Sequence, residues 1–450
     1  MKERIVLFLI LMGLLAFLYI FQNYFNTVFG LIFLCCGMIV YAIYMNLATQ
    51  HKKRKLRKTP QVINEDYKPF VTVMIPAHNE EGVIAKTVET VLEMTYEKFE
   101  VIVIDDRSSD NTASVIRDLE NKYEKVTALV RDKNAFPGKS AVLNDALKMA
   151  KGEAVLVFDA DARMDKNFLS ELVPQLEPAD VGAVQARKVI SNKDYNLLTR
   201  CQDNEMALDT HFQVGRDAVK GAVELRGNGE LIKVEAINDI GGWNNYTITD
   251  DLDMSTRLHI KGWDIRFCPD TVVYEEAIIY LFPLFRQRRR WFEGTIRRYL
   301  EYFGDVLKSK DMSLRASLDM TAYISEFIMP LWWMMEMFIR CGRILTHQAP
   351  KNCLLSSIFV GCAIAVCFTI AARYSLRKYN NVPRKKALIQ AMETSIYLFV
   401  IWFPVVVWIC FKILFRKKDM AWGKTAHGLV LEEEAHIKDQ QEQEVLEEVK

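Results

Sequence analysis

The stretch Val155-Leu156-Val157-Phe158-Asp159-Ala160-Asp161 decides the fold that this sequence of 450 residues predicts. Its apolar first half, led by β-branched residues, is typical of a fully buried strand. Asp159 and Asp161 follow where that strand should end, and open α/β sheets bind ligands beyond the carboxyl ends of their strands. Two carboxylates at that place predict a site for Mg²⁺ or Mn²⁺, which can in turn hold a diphosphate. The structural alternative is a pair of solvated loop aspartates.

Strands and helices alternate on both sides of this stretch. We predict strands at 71–75, 99–104, 126–130 and 181–186. Each of the first three strands is followed by a predicted helix, and these helices end near residues 94, 121 and 151. This alternation predicts an α/β domain at residues 70–276 with a parallel, doubly wound sheet. A second strand ends in Asp105-Asp106, which suggests that one edge of the sheet binds a charged ligand and a metal.

Three further segments place polar side chains near that edge. Lys139 stands near a predicted helix start, where an ammonium group beside backbone amides can contact a diphosphate, although a solvated surface lysine is equally compatible. Residues 226–230 predict a backbone turn near a polar site. Asp250 and Asp251 stand at the start of another predicted helix, where carboxylates are favoured, so capping is the structural role open to Asp250.

Apolar runs flank the α/β segment. Residues 5–21 and 28–45 each approach the roughly 20 residues that span a bilayer, and they predict a transmembrane hairpin at 1–50. A basic run opens a juxtamembrane linker at 51–69, so the positive-inside rule places the α/β domain in the cytosol. Further runs predict a C-terminal transmembrane region at 313–416, with spans at 320–339, 354–371 and 389–414. We therefore expect an integral protein of a bacterial cell membrane.

Two segments between and beyond these runs need a separate interpretation. Residues 277–285 are apolar but too short to span, and they precede the basic run 286–291, so we predict interfacial helices at 277–312. A basic run that touches lipid headgroups only is the alternative. Pro404 interrupts the last apolar run, which is therefore one span or a re-entrant hairpin. The polar C-terminal tail spans residues 417–450, and its acidic, Gln-rich part at 431–450 predicts a solvated helix or disorder. We expect the C-terminus on the cytosolic side.

Residues 70–300 resemble the membrane-embedded glycosyltransferases of family 2, which include cellulose, hyaluronan and poly-N-acetylglucosamine synthases and glucosyl-diacylglycerol synthases. Four motifs match in the same order. Asp105-Asp106 resembles the acidic motif that holds uridine, and Asp159-Ala160-Asp161 resembles the D-x-D motif that binds metal and diphosphate. Thr249-Asp250-Asp251 resembles T-E-D, whose last Asp is the catalytic base, and residues 287–291 match Q-x-x-R-W. The resemblance implies a GT-A fold and a UDP-sugar donor.

The resemblance and the residue types together give a set of candidate site residues. They are Asp251 as catalytic base; Glu80, Asp105, Asp106, Lys139, Asp159, Gln287 and Arg290 for the donor; Asn228, Asp250 and Trp291 for the acceptor; and Asp159 and Asp161 for the metal. The implied activity is an inverting, metal-dependent transfer of a hexose from a UDP-sugar. The acceptor is a growing β-linked polysaccharide or a membrane lipid such as diacylglycerol.

Two departures from the polysaccharide synthases bear on that choice. Asp250 stands where they have Glu, and Gly227-Asn228-Gly229 occupies the acceptor-side turn. Both features weaken the case for a processive polymerase, and they fit a glycolipid-forming enzyme about as well as a polysaccharide synthase. A transporter or channel is a competing class, but charged residues inside the apolar runs are few, Glu336 and Glu393 being the main exceptions. An inactive sugar-binding scaffold is another, against which the intact acids argue. A net charge of +1 gives no reason to expect a nucleic-acid partner.

Overall fold

The computed structural model describes residues 2–21, 28–58, 64, 66–348 and 354–416. The turn of the predicted N-terminal hairpin, part of the predicted linker and the whole tail 417–450 lie outside the described residues.

One mixed sheet forms the centre of the α/β domain. Its strands run in the order β3-β2-β1-β4-β7-β6-β8-β5. They are β1 (Val71–Ala77), β2 (Phe99–Asp105), β3 (Val126–Val130), β4 (Ala154–Val157), β5 (Arg163–Met164), β6 (Val181–Ile190), β7 (Glu230–Lys233) and β8 (Asp264–Glu275). The first four in sheet order are parallel, whereas β7 runs antiparallel to both of its neighbours. The α/β fold is confirmed, and the sheet is mixed rather than wholly parallel because of β7 and the edge strand β5.

Helices cover both faces of this sheet and continue into a membrane part. They are α1 (Lys2–Phe21), α2 (Val28–Lys58), α3 (Ile84–Leu92), α4 (Thr112–Lys122), α5 (Lys139–Leu147), α6 (Phe168–Leu172), α7 (Leu197–Val219), α8 (Val234–Asp239), α9 (Asp250–Ile260), α10 (Leu281–Lys308), α11 (Leu314–Tyr323), α12 (Ser325–Leu345), α13 (Leu354–Tyr379) and α14 (Arg384–Phe415), with a short 3₁₀ helix at Val173–Leu176.

The sheet separates two hydrophobic layers because successive strand side chains point to opposite faces. Val73 and Leu156 belong to the layer that includes α3, α4 and α6. Met74 and Val155 belong to the opposite layer, with α5, α8 and α9. Both faces of the central strands are therefore buried, which explains why these strands are continuous apolar runs in the sequence.

Four of the described helices are long and apolar enough to cross a membrane, namely α1, α2, α13 and α14. Helix α2 continues to Lys58, so the basic segment that we predict as the start of a linker is helical. Helix α14 is one continuous helix with Pro404 inside it. Its Lys412 Nζ lies 2.6 Å from Glu293 Oε2, which brings the end of α14 close to α10. The side on which the C-terminus lies stays a prediction.

The predicted span at 320–339 is wrong as a single helix. Helix α11 ends at Tyr323 and α12 begins at Ser325, within the predicted span. Helix α12 is not among the four candidate membrane helices. Its Glu336 is fully buried and pairs with Arg340 at 2.6 Å, one turn further on. A charged pair inside this helix lowers its apolar character and is satisfied within the protein.

The predicted interfacial helix at residue 277 begins later than expected. Residues 277–279 are buried and not helical, and α10 starts only at Leu281. The backbone of this segment is held by side chains of the α/β domain: Ala277 N donates to Asn192 Oδ1 at 2.8 Å, and Gln202 Nε2 donates to Ile278 O at 2.7 Å. Because these partners satisfy its backbone, the segment packs on the domain instead of forming a helical turn.

Candidate active site

The carboxyl ends of the central strands open into a cavity of about 360 Å³. The parallel strands β1 and β4 end side by side, so the residues that follow them meet at one edge of the sheet. The cavity brings together all but three of the candidate site residues: Glu80, Lys139, Asp159, Asp161, Asp250, Asp251, Gln287, Arg290 and Trp291 line it. Segments spread over more than 200 positions of the sequence thus form one site.

Asp159 and Asp161 lie in the loop directly after β4, as the apolar run predicts. Asp161 Oδ2 accepts a hydrogen bond from the backbone N of Glu276 at 3.3 Å. Among the described residues, no group of three or more His, Cys, Asp or Glu side chains is placed to hold a metal ion. Two carboxylates suit an ion such as Mg²⁺, which usually keeps waters and substrate phosphates in its remaining positions. The donor set therefore fits a metal that is shared with a diphosphate.

Lys139 links this pair of carboxylates to the rest of the site. Its Nζ lies 2.6 Å from Asp159 Oδ1 and donates to Gly227 O at 2.7 Å. Burial alone would lower the pKa of Lys139, but the charges of Asp159, Asp250 and Glu230 raise it above its usual value. The ammonium group is therefore charged and lies among the carboxylates; its contact with a diphosphate stays a prediction.

Asp250 and Asp251 are the first two residues of α9, at the cavity wall. Asp251 Oδ1 accepts a hydrogen bond from Leu252 N at 2.8 Å, whereas Asp250 Oδ2 is buried and has no hydrogen-bond partner among the described residues. Burial, and then the adjacent Asp250, raise the pKa of Asp251 to about 6. A carboxylate whose pKa lies this close to neutral pH is suited to general-base catalysis.

Helix α10 carries Gln287, Arg290 and Trp291 and packs directly on the start of α9. The contact is made at Gly294, where an added Cβ would lie 2.4 Å from Thr249 Cγ2. Only a residue without a side chain allows this approach. Gly294 therefore sets the distance between the Q-x-x-R-W motif and the carboxylates of α9.

Arg288, inside the same motif, anchors it to the membrane part. Its guanidinium lies 4.0 Å from the ring centroid of Trp291, and its Nη1 donates to Gln287 Oε1 at 2.7 Å. On its other side, Nη2 donates to Glu205 Oε2 at 2.7 Å. Glu205 also accepts from Tyr397 Oη at 2.9 Å, on α14. This buried network fixes the orientation of both neighbouring motif residues.

Three candidates lie outside the cavity wall. They are Asp105 and Asp106, in the acidic motif after β2, and Asn228, in the acceptor-side turn. Asp106 accepts from Arg131 Nη1 at 2.6 Å, so it is already satisfied by a buried arginine. Asp105 Oδ1 is buried and has no partner among the described residues, which leaves it able to accept from a ligand. Asn228 Oδ1 accepts from the backbone N of Asp159 at 3.2 Å and so supports the D-x-D loop. The predicted contact of Asn228 with the acceptor stays a prediction, because Asn228 does not line the cavity.

Sequence reasoning missed three buried charged residues at the site. Glu230 lies beside Lys139, Asp250 and Asp251, and burial raises the pKa of Glu230 to about 8. Lys188 pairs with Glu275 at 2.6 Å and lines the cavity. Glu205 holds Arg288 as described above. Glu230 belongs to the predicted turn at 226–230, so its place near a polar site could have been inferred from the sequence. Lys188 and Glu205 have no such motif around them.

Comparison with known proteins agrees with this fold and identifies the family. Residues 69–294 match the model of a family described as glycosyltransferase like family 2. The beta-monoglucosyldiacylglycerol synthase of Trichormus variabilis is 36% identical over 363 residues, which cover 80% of this chain and 76% of the relative. The poly-beta-1,6-N-acetyl-D-glucosamine synthase of Staphylococcus aureus is 29% identical over 296 residues, which cover 65% of this chain and 70% of that protein. The chain belongs to glycosyltransferase family 2.

A solved structure supports the fold in the same way. The mannosyltransferase PcManGT from Pyrobaculum calidifontis, in complex with GDP-Man and Mn²⁺, aligns with a TM-score of 0.59 at 21% identity. The alignment covers 83% of this chain and 99% of that one. At this identity the likeness shows the GT-A fold alone.

Proposed function

We propose that this protein transfers a sugar from a UDP-sugar to the hydroxyl group of a membrane lipid of the diacylglycerol type, with inversion at the anomeric carbon. The similar beta-monoglucosyldiacylglycerol synthase supports a lipid acceptor. A growing β-glycan is the alternative, for which the poly-N-acetylglucosamine synthase similarity speaks.

The observation that carries the lipid proposal is the lining of the cavity. The same cavity that contains Asp159 and Asp251 extends to apolar side chains of the membrane part. They come from four helices and include Met38 of α2, Met329 of α12, Phe368 of α13 and Leu398 and Phe403 of α14. Apolar walls suit acyl chains, whereas a glycan would leave its hydroxyl groups without hydrogen-bond partners there. A lipid can thus place its chains among these helices and its hydroxyl beside the carboxylates.

The residues at the polar end account for the chemistry of transfer. A sugar or glycerol hydroxyl is a poor nucleophile, so Asp251 takes its proton as the oxygen attacks. The new bond from this oxygen to the anomeric carbon forms while the bond from that carbon to the UDP oxygen breaks, and UDP leaves with the electron pair. Attack from the opposite face inverts the configuration, so an α-linked donor gives a β-linked product. Gln287 and Arg290 line the same cavity and would hydrogen-bond the phosphates.

Asp159 and Asp161 would hold the metal in this proposal. A bound Mg²⁺ or Mn²⁺ supplies stabilisation of the negative charge that develops on the leaving diphosphate. Lys139, which lies 2.6 Å from Asp159, adds a fixed positive charge on the same side of the cavity. The chain thus concentrates cationic groups where the leaving group departs and a carboxylate where the acceptor arrives.

UDP release by the purified full-length protein tests the proposal. We expect release to rise with diacylglycerol and not with glycerol or an oligosaccharide, because only the lipid fills the apolar end. Met38→Trp should lower the rate by narrowing that end. Ile39→Trp is the matched control, since Ile39 is 41% exposed on the outer side of the same helix. Stimulation by oligosaccharide alone would favour the polysaccharide reading, and absence of any UDP release would favour the scaffold or transporter readings.

A further inference from the structure

Two lysines from different helices stand where the membrane part meets the catalytic domain. Lys378 lies near the end of α13 and Lys53 near the end of α2, and the charge of Lys53 acts on Lys378. Neither lysine forms an ion pair with a carboxylate of the described residues, as the ion pairs found in those parts of the chain show. Two positive charges in one region, without a paired carboxylate, favour the binding of an anion.

Aromatic side chains form the walls of this place. The Lys378 Nζ lies 4.7 Å from the ring centroid of Tyr379 and 5.5 Å from that of Tyr374. The imidazole of His211, on α7, lies 5.1 Å from the Tyr374 ring. Helices α2, α7 and α13 pack together here. The two lysines therefore stand on helices that are fixed relative to each other.

Two buried polar atoms at this place have no hydrogen-bond partner among the described residues. They are His211 Nδ1 and the hydroxyl oxygen of Tyr379. Burial, and then the charge of Lys378, lower the pKa of His211 to about 4, so at pH 7 the imidazole is neutral and can donate one N–H. The charges of Asp203 and Asp270 act on Arg187, whose guanidinium lies 5.5 Å from the ring centroid of Tyr379. The cluster thus offers hydrogen-bond donors and positive charge together.

We propose that Lys53, Lys378, His211 and Tyr379 form a binding site for the headgroup of one anionic phospholipid. The position supports a lipid over a soluble anion, because the site lies at the ends of two helices that are long and apolar enough to cross a membrane. A phosphate at that level joins the two ammonium groups and accepts from the two unpartnered donors, and its acyl chains continue beside α2 and α13. Basic side chains next to a membrane helix attract anionic lipids in general. Here the aromatic side chains around Lys378 restrict where the headgroup can bind, which defines a single site.

Native mass spectrometry of the full-length protein, with phosphatidylglycerol and phosphatidylcholine added in turn, tests this site. We expect the wild type to retain one phosphatidylglycerol in preference to phosphatidylcholine. Lys53→Gln/Lys378→Gln should lower that preference by roughly tenfold or more, since each basic group near an anionic surface contributes about fivefold. Tyr379→Phe, which removes one hydroxyl group, should weaken it less.

The matched control is Lys385→Gln/Lys386→Gln, which removes the same charge from two exposed lysines at the start of α14. It should keep the preference of the wild type. Equal losses in both double variants would show diffuse attraction and would overturn the proposal. Displacement of the lipid by inorganic phosphate alone would identify a soluble-anion site and would also overturn it. Thermal unfolding of each variant shows whether a loss of binding is due to a loss of fold.

Discussion

Adding one methyl group at Gly294 should separate the two halves of the active site. Gly294 lies in α10, seven residues after Gln287, and it contacts Thr249, which directly precedes Asp250 and Asp251. The new Cβ of Gly294→Ala would lie 2.4 Å from Thr249 Cγ2, 2.5 Å from its Oγ1 and 3.0 Å from its Cβ. Rotation of the threonine side chain cannot relieve all three contacts, because its Cβ does not move with that rotation.

The size of the effect follows from these distances. Carbon atoms in van der Waals contact lie roughly 3.5–4.0 Å apart, so α10 and the start of α9 must separate by about 1 Å. A displacement of about 1 Å in a catalytic arrangement costs on the order of 10²-fold in rate. Overpacking of this kind also costs roughly 1–3 kcal/mol of stability. We therefore expect transfer to fall about a hundredfold while the protein still folds.

The assay is the steady-state transfer rate beside the thermal unfolding of the same preparation. Gly304→Ala is the matched control, because Gly304 lies in the same helix and an added Cβ there has no atom within 4 Å. It gains the same helix propensity without a clash and should be as active as the wild type. Gly294→Ala/Thr249→Ala removes the two shortest contacts and should recover part of the rate. Activity of Gly294→Ala equal to that of Gly304→Ala would refute this view of the α9–α10 contact.

Three other perturbations have defined outcomes. Asp251→Asn should keep UDP binding and lose roughly 10²–10⁴ in transfer rate, while Asp250→Asn should lose less transfer. Isothermal titration with UDP, beside the transfer kinetics, distinguishes a loss of binding from a loss of catalysis. Loss of UDP binding in Asp251→Asn would show a donor-site role. Because Asp251 must be ionised to act and its pKa is raised to about 6, kcat/KM should fall tenfold per pH unit below that value. Asp250→Asn removes one cause of the raised pKa, so this limb should move to lower pH, and an unmoved limb would contradict the assignment. EDTA should abolish transfer and Mn²⁺ or Mg²⁺ restore it, whereas Asp161→Ala should weaken UDP binding only with metal present; full turnover in chelator would exclude a metal role for the D-x-D pair.

The sequence carried enough signal to locate the carboxylates at the sheet edge. A short apolar strand that ends in acids has a strong physical meaning, because strand ends are where a buried element reaches solvent. Asp159 and Asp161 could therefore be predicted from the strand that precedes them, whereas Asp251 was predicted from the resemblance of Thr249-Asp250-Asp251 to T-E-D. Strand β7 could not, because Gly227 and Gly229 give residues 226–230 the pattern of a turn, and the four strand residues that follow are too short for a clear period.

The supporting network of the Q-x-x-R-W motif was beyond sequence reasoning. Glu205 lies in the middle of α7 and its partner Tyr397 lies 192 residues further along the chain. Nothing local marks such a pair, since only the packing of α7, α10 and α14 brings it together. The break between α11 and α12 was missed as well, because residues 320–339 are apolar on average. The buried pair of Glu336 with Arg340, which lowers the apolar character of α12, is visible only as a contact.

The proposed activity is the transfer of one sugar to a lipid hydroxyl with inversion. The most direct measurement is mass spectrometry and NMR of the product that the purified protein makes in diacylglycerol-containing nanodiscs, with UDP-glucose, UDP-galactose and UDP-N-acetylglucosamine supplied in turn. We predict that at least one donor gives a diacylglycerol that carries one β-linked sugar. A soluble or chain-extended glycan, or an α-linked glycolipid, would contradict the account.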